Sequence, residues 1–420
     1  MTGPVYRRYV LGVATTVYGL NLVDRGVIQI LLEPIKQDLS LSDTQLGFLT
    51  GIAFGLFYAI AGIPIARLAD RGNRATITSV AIGLWALTVM SVVFVTNFLG
   101  LLAARVAAAV GEAGCKPPTY SLIGDYFPKP AERTRAMAIF WLGGPIASLV
   151  SYALGGWLSE IYGWRLTFFV MGLPGLLLAL IVFTTIKDPR TARTVEDRSD
   201  PERPGMWAVF RHLWVSKSCR NILIGLTLLF TMCFGMNPWY ASFLIRSHGM
   251  ETSTIGVALG LIFSLGGVAG ILLGGYIGSN RLADDERAQL RWSGLAIACV
   301  MPFFIGFLLL PTKLLALAAL VPLQIVLNLF FAPTFALLQR LVPENMRATS
   351  LSIIMLFANL IGMGVGPQMV GILSDGLNPS FGVDSLRYAM LAMTIVALWS
   401  GYHFWAAGRS VRSDLVEVRG

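Results

Sequence analysis

Five ionisable side chains lie inside stretches of sequence that are otherwise apolar. Asp24 and Arg25 fall in the first such stretch, and Arg105, Glu112 and Lys116 fall in the fourth. A charge near the centre of a bilayer costs roughly 2.5 to 3.5 kcal/mol on insertion scales, so charges retained there usually pair, bind a solute or carry protons. Buried carboxylates are suited to proton transfer, and the cations are suited to anion binding or ion pairing.

The elements that carry these charges follow from composition. Of the 420 residues, 55% are hydrophobic and only 13% are charged. The mean hydropathy is +0.69. A membrane-spanning helix needs about 20 apolar residues, and twelve such runs predict an all-α membrane protein. The predicted spans are 10–32, 45–66, 76–95, 99–123, 136–158, 166–186, 221–244, 254–277, 292–310, 314–338, 349–372 and 387–406.

The distribution of Lys and Arg predicts the orientation. Of the 32 basic residues, 24 fall in the even-numbered connections and the two termini, whereas five fall in the odd-numbered connections. Basic residues concentrate on the cytoplasmic side of membrane proteins, so both termini are predicted to be cytoplasmic. The net charge of +9 is then mostly a signal of topology. No nucleic-acid partner is expected.

A long hydrophilic interval divides the spans six and six. The predicted domains are an amino-terminal bundle (1–186), a cytoplasmic linker (187–220), a carboxy-terminal bundle (221–406) and a cytoplasmic tail (407–420). The apolar end of the linker, 206–214, is interpreted either as a short interfacial helix or as an ordinary linker with aromatic anchors.

The two bundles are an internal repeat. At an offset of 215 residues, Pro118, Thr119, Tyr120, Leu122 and Pro128 match Pro333, Thr334, Phe335, Leu337 and Pro343. Such repeats are typical of transporters that bind their substrate between the two halves.

The repeat also shows that the charges are one-sided. Offsets of 215 and 216 place Phe331 opposite Lys116 and Tyr240 opposite Asp24. A cavity that is charged on one wall and apolar on the other favours an amphiphilic substrate. Arg25, Arg105, Lys116, Asn21, Tyr240, Asn328 and Phe331 are the predicted substrate-binding residues.

Several motifs resemble the Spinster branch of the major facilitator superfamily. They are Asn21–Gly26, Leu41–Gly47, Ala69–Arg74, Gly111–Cys115, Asp125–Pro128 and Gly163–Arg165. The resemblance implies two pseudo-symmetric six-helix bundles and an amphiphilic lipid substrate, such as a lysophospholipid or a sphingosine-phosphate-like lipid, with proton coupling. It also implies a protein of the bacterial inner (plasma) membrane. Lys116 departs from the family pattern, which has a small or apolar residue after the cysteine.

Spacing suggests roles for the charges. Glu112 lies seven positions after Arg105 and Lys116 four positions after Glu112, so all three are expected on one helix face, where Glu112 and Lys116 can pair. Counting from the helix ends predicts an ion pair between Asp24 and Arg105. Asp24 and Glu112 are the predicted proton-coupling residues. The alternative interpretation is that these charges form fixed pairs that only set the register of two helices.

The loop after the second span resembles the superfamily's gating motif. Asp70, Arg71, Arg74 and Asp125 are predicted to control conformation, with Arg71 or Arg74 reaching Asp125. The alternative is that the basic residues merely anchor the loop on the cytoplasmic side.

Enzyme chemistry is not expected, because no nucleotide-binding loop, metal-ligand spacing or paired nucleophile and base is present. No cofactor is predicted. The predicted partners are an amphiphilic lipid, protons and the surrounding membrane lipids, with the protein acting as a monomer. The alternatives are a multidrug or organic-anion porter of the same superfamily, and an energy-independent lipid facilitator or scramblase.

Overall fold

The computed structural model describes residues 3–189, 204–280, 282 and 285–419, apart from the side chains of residues 70, 71, 332, 344, 348 and 417–419. Those ranges are helical and contain no strand. The helices are α1 (Pro4–Leu39), α2 (Asp43–Thr50), α3 (Ile52–Arg71), α4 (Arg74–Ser91), α5 (Phe98–Ala113), α6 (Lys116–Tyr126), α7 (Pro130–Trp141), α8 (Gly143–Thr185), α9 (Met206–Val215), α10 (Lys217–Met236), α11 (Tyr240–His248), α12 (Thr252–Asn280), α13 (Glu286–Ala298), α14 (Val300–Leu309), α15 (Lys313–Leu329), α16 (Phe331–Arg340), α17 (Arg347–Phe381), α18 (Ser385–Met393) and α19 (Ile395–Arg419).

These helices make the chain an integral membrane protein. Within the described residues, nine stretches are long and apolar enough to span a membrane. Two of them, Pro130–Thr185 and Thr349–Val416, have 56 and 68 residues, far more than the roughly 20 that one crossing needs. Each is divided by a glycine with positive φ, Gly163 at 78° and Gly382 at 54°. With α1, whose 36 residues include two of the charges, the count is twelve, as predicted.

Contacts group the described helices into two compact units. Unit 1 contains residues up to 189 together with Met250–Gly260, and unit 2 contains 204–249 and the residues from Leu261 onward. In unit 1, α8 packs against α1 and α4, and α5 packs against α3 and α4. The start of α12 belongs to unit 1, where the backbone N–H of Ser253 donates to Glu160 Oε2 at 3.1 Å.

Close helix packing in unit 1 depends on small residues. A Cβ on Gly143 of α8 would lie 2.7 Å from the carbonyl oxygen of Thr15 in α1. A Cβ on Gly175 would lie 2.6 Å from the Trp85 ring of α4. Glycine therefore allows α8 to approach two neighbours closely enough to hold α1, the helix that carries Asp24 and Arg25.

Unit 2 repeats much of this arrangement. There α10 packs against α17 and α19, and α13 packs against α19. The break between α5 and α6 at Cys115 recurs between α15 and α16 at Phe330, which is the predicted offset of 215 residues. The first span differs, because α1 continues through Asp24 whereas α10 ends at Met236, before a 3-10 turn that contains Pro238.

The segment predicted as a tail (407–420) is helical as far as the structure describes it. Residues predicted as a tail from 407 onward continue α19 to Arg419. Within this helix Asp414 is buried, and its Oδ2 accepts hydrogen bonds from the backbone N–H of Ser218 at 2.7 Å and from the Ser216 hydroxyl at 2.9 Å. These bonds fix the start of α10, at Lys217, and place this start inside the predicted linker. The linker also contains the helix α9.

Candidate functional site

All five charges lie in unit 1, on α1, α5 and α6. Asp24, Arg105 and Glu112 are almost completely enclosed by protein, with exposures of 3%, 6% and 0%. Burying charged groups costs several kcal/mol each unless they pair well. The enclosure therefore requires each of these charges to have a partner close by.

The first pair joins α1 to α5. An Arg105 guanidinium N–H donates to Asp24 Oδ2. The Arg105 guanidinium carbon also lies 4.2 Å from the centroid of the Phe54 ring on α3, so the cation contacts a carboxylate and an aromatic face. This is the ion pair predicted from the sequence.

The second pair joins the same two helices. Arg25 Nε donates to Glu112 Oε1 at 2.8 Å, and an Arg25 terminal nitrogen lies 2.6 Å from the same oxygen. The other carboxylate oxygen, Glu112 Oε2, has no hydrogen-bond partner within the described residues. Asn21 of α1 donates to the backbone carbonyl of Glu112 at 3.3 Å. Asp24 and Arg25 therefore have different partners, Arg105 and Glu112.

The predicted pair between Glu112 and Lys116 is wrong. The helix that carries Glu112 ends at Ala113, and α6 begins at Lys116 after Gly114 and Cys115, so the two residues are not on one uninterrupted helix. The Glu112 carboxylate pairs with Arg25 instead. The ammonium of Lys116 faces the Tyr18 and Tyr58 rings, with centroids at 5.6 and 6.0 Å.

A small cavity adjoins the Asp24–Arg105 pair. It has a volume of about 20 Å³ and is lined by Asp24, Arg105, Val89, Ala104 and Phe168, among others. A water molecule needs roughly 10 to 15 Å³ by this kind of measure and at least two polar partners. The cavity is therefore large enough for one water molecule beside the carboxylate.

We expect the Asp24–Arg105 pair to stabilise the fold through its mutual interaction. Arg105→Gln alone leaves a buried carboxylate unpaired and should lower the free energy of unfolding by about 3 kcal/mol. Adding Asp24→Asn should recover much of this loss. A double-mutant cycle measured by thermal unfolding in detergent should give a coupling energy of about 2 kcal/mol. Additive effects of the two substitutions would contradict the pair.

A second cluster lies where α4 begins. Arg74 has 0% exposure, and its terminal nitrogen lies 2.7 Å from Asp125 Oδ2 and 2.5 Å from Asp188 Oδ1. Its other terminal nitrogen donates to the Ser121 hydroxyl at 2.8 Å. The predicted contact of Arg74 with Asp125 is therefore present, and the gating role of both residues stays a prediction.

Sequence reasoning missed Asp188 in this cluster. It follows α8 at the start of the predicted linker (187–220), where the Asp-Pro pair favours a turn but does not indicate a partner for the carboxylate. The side chains of Asp70 and Arg71, which were also predicted to gate, lie outside the described residues.

Two further ion pairs, near the carboxyl end of α1, were also not predicted. Lys36 Nζ lies 2.5 Å from Asp43 Oδ1, and an Arg165 nitrogen lies 2.6 Å from Asp38 Oδ2. Asp43 and Arg165 belong to the Leu41–Gly47 and Gly163–Arg165 motifs, so these motifs are the sequence signal for the two pairs.

The predicted substrate-binding residues of unit 2 differ in exposure. Tyr240 is buried, with Phe263, Phe304 and Phe307 around its ring at 5.2 to 6.2 Å. Asn328 and Phe331 are half-buried. Phe331 stacks on Phe330 at 4.7 Å. Their binding role stays a prediction.

The twelve helices in two repeated six-helix halves, with paired charges buried in one half, define a membrane transporter. Residues 14–367 match the Major Facilitator Superfamily, and the chain belongs to that superfamily. It is therefore a secondary transporter and not an enzyme, as predicted. Within the described residues, no group of three or more His, Cys, Asp or Glu side chains could hold a metal ion.

Particular relatives include both efflux and Spinster proteins. An MFS-type efflux pump of Mycolicibacterium smegmatis is 31% identical over 99% of this chain and 96% of its own. Spinster homolog 1 of Homo sapiens is 25% identical over 94% of this chain and 79% of its own. A crystal structure of a bacterial homolog of the human lysosomal transporter Spinster, inward-facing and unoccupied, has a TM-score of 0.87 with 28% identity, covering 98% of this chain and 99% of that one. The predicted resemblance to Spinster proteins is confirmed.

Proposed function

We propose that this secondary transporter moves an amphiphilic lipid, such as a lysophospholipid or a sphingosine-phosphate-like lipid, by alternating access. Transport is coupled to protons through Glu112, Asp24 or both. The single observation that carries the proposal is the arrangement of two buried acid–base pairs between the same two helices, Asp24 with Arg105 and Arg25 with Glu112. The likeness to Spinster proteins over nearly the whole chain supports the lipid substrate.

The Arg25–Glu112 pair links protonation to helix packing. Glu112 is fully enclosed, and its charge is compensated by Arg25 through a single carboxylate oxygen. A proton on Glu112 removes the negative charge that Arg25 contacts. Protonation of Glu112 therefore also weakens the contact between α1 and α5. In this way a bound proton shifts the equilibrium between two conformations.

Asp24 is a second candidate proton site, because it too is a buried carboxylate paired with an arginine. Its partner Arg105 is held between the carboxylate and the Phe54 ring, which also lies 4.7 Å from Arg25. Both pairs therefore share one aromatic contact on α3. The cavity beside Asp24 provides room for a water molecule that could deliver a proton.

The membrane, orientation and partners belong to the same proposal. We place both termini in the cytoplasm, because 24 of 32 Lys and Arg residues fall on that side of the predicted topology. The likeness to bacterial transporters supports a bacterial inner membrane. The partners are the transported lipid, protons and the surrounding membrane lipids. Each monomer contains one complete cluster of charges.

A second candidate function is export of drugs or small organic anions. It is favoured by the likeness to the efflux pump of Mycolicibacterium smegmatis and by a further relative, the probable galactarate/D-glucarate transporter of Bacillus subtilis, which is 26% identical over 72% of this chain and 70% of its own. The two candidates differ in whether the substrate requires an acyl chain.

The test is the leaflet distribution of a labelled lysolipid in proteoliposomes with a pH difference across the membrane and a clamped membrane potential. One pH unit stores about 1.4 kcal/mol per proton, so coupling to one proton allows about a tenfold enrichment of lipid in one leaflet. An enrichment that collapses with a protonophore supports the proposal. Equal distribution, reached with or without the gradient, would identify a scramblase instead.

A further inference from the structure

Lys116 is the one charge of the five that the ion pairs do not compensate. Asp24 pairs with Arg105 and Glu112 pairs with Arg25, so two carboxylates already balance two arginines. Within the described residues, Lys116 has no carboxylate at ion-pair distance. The cluster of Asp24, Arg25, Arg105, Glu112 and Lys116 thus carries one excess positive charge, located on Lys116.

This excess charge lies in a half-buried position. The ammonium of Lys116 is bordered by the Tyr18 ring on α1 and the Tyr58 ring on α3. The Tyr58 ring also lies 5.3 Å from the Arg25 guanidinium carbon, so a second cation is close by. Arg25 and Lys116 therefore lie near the same ring, and of the two only Arg25 has a carboxylate partner. An anion would be attracted to Lys116.

The faces of the Tyr18 and Tyr58 rings help to determine which lipid headgroup can bind here. Aromatic faces such as those of Tyr18 and Tyr58 are the usual binding partners of quaternary ammonium groups. Here Lys116 already occupies that position, and its charge would repel the trimethylammonium of a choline headgroup. A carboxylate or phosphate monoester would instead be attracted.

An aromatic surface continues from this position. Tyr18 stacks on Phe140 at 4.7 Å and meets the edge of Trp141 at 5.2 Å, and Tyr120 of α6 contacts the same two rings at 5.1 and 5.9 Å. Trp141 is half exposed. The cation is therefore next to an apolar surface in the same unit, which suits the junction between a charged headgroup and an acyl chain.

We propose that Lys116 is the headgroup site of the transporter and that it selects amphiphiles with an anionic headgroup, a carboxylate or a phosphate monoester, over choline-bearing ones. This inference rests on the proposed function, since it names the substrate class of the same site. It also assigns different tasks to the three cations. Arg25 and Arg105 hold the carboxylates, and Lys116 receives the substrate.

The test is binding to purified full-length protein in detergent, with radiolabelled lysophosphatidate and lysophosphatidylcholine that have the same acyl chain. Wild-type protein should prefer lysophosphatidate. Lys116→Met should weaken lysophosphatidate binding about 30-fold and change lysophosphatidylcholine binding by less than about threefold. Lys116→Arg should retain the preference. The matched control is Lys129→Met, which removes an exposed lysine of the same unit.

The tail-free anions glycerol 3-phosphate and glucuronate complete the panel. Binding of lysophosphatidate without binding of these anions identifies a lipid headgroup as the source of the charge. Equal or tighter binding of the tail-free anions would overturn the lipid assignment, and an equal loss of both lipids in folded Lys116→Met would overturn the headgroup site. If Lys116-dependent preference persists but no pH-driven transport occurs, the site stands and the proposed coupling fails.

Discussion

Glu112→Gln is expected to abolish transport driven by a pH gradient. Glutamine retains the size and an oxygen acceptor for Arg25 but can neither carry the transported proton nor balance the arginine charge. In proteoliposomes with a pH difference of one unit, the leaflet ratio of labelled lysolipid should fall from about ten to about one, because one coupled proton supplies about 1.4 kcal/mol. Exchange of labelled for unlabelled lipid without a gradient should continue.

The control for this result is Glu132→Gln. Glu132 lies near the start of α7, is partly exposed, and pairs with Arg7 at 2.5 Å, so it tests removal of a carboxylate outside the candidate site. It should leave the gradient-driven ratio unchanged. A Glu112→Gln protein that still enriches the lipid about tenfold would remove Glu112 from the coupling mechanism and leave Asp24 as the candidate.

Arg74→Met is expected to cause the largest loss of stability. The guanidinium is fully buried and bonds both Asp125 and Asp188, so its removal leaves two carboxylates close together without the cation that they share. Breaking a buried ionic network from one side costs about 3 to 5 kcal/mol. Thermal unfolding in detergent, followed by tryptophan fluorescence, should show a midpoint lowered by several degrees.

Two further variants separate this network from ordinary surface pairs. Arg74→Lys keeps the charge but not the planar fork, so it should lose part of the stability. Arg340→Met removes a partly exposed arginine that pairs with Glu286 at 2.5 Å, and it should cost at most about 1 kcal/mol. If Arg74→Met and Arg340→Met were equally mild, the network around Arg74 would not hold α4 and Asp188 together.

The fold was predictable because its signals are long and redundant. Twelve apolar runs, a repeat at an offset of 215 residues and one hydrophilic interval each point to the same two six-helix halves. The predicted boundaries differ from the observed ones where polar residues continue a helix. Residues from 407 onward are polar, yet they continue α19, because Asp414 caps the start of α10 from within that helix.

Contacts in the candidate site were predictable where they depend on how far each residue lies from the end of its helix. They were not predictable where a helix is interrupted. Asp24 and Arg105 were matched by their distance from the helix ends, and their pair is present. Glu112 and Lys116 were matched by helical spacing, which fails because α5 ends at Ala113. No spacing pattern indicates the contact between Arg25 of α1 and Glu112 of α5, since the two residues are 87 positions apart in the chain.

Proton exchange linked to lipid binding tests the central claim most directly. Purified protein in weakly buffered detergent, with a pH indicator dye, should bind or release protons when lysophosphatidate is added. Glu112→Gln should reduce this exchange, and Glu112→Gln combined with Asp24→Asn should leave only the protons that the phosphate monoester of the lipid itself exchanges, while lipid binding persists. Lipid binding by the wild-type protein with a proton change no larger than that of the double variant at any pH between about 5 and 9 would contradict the account.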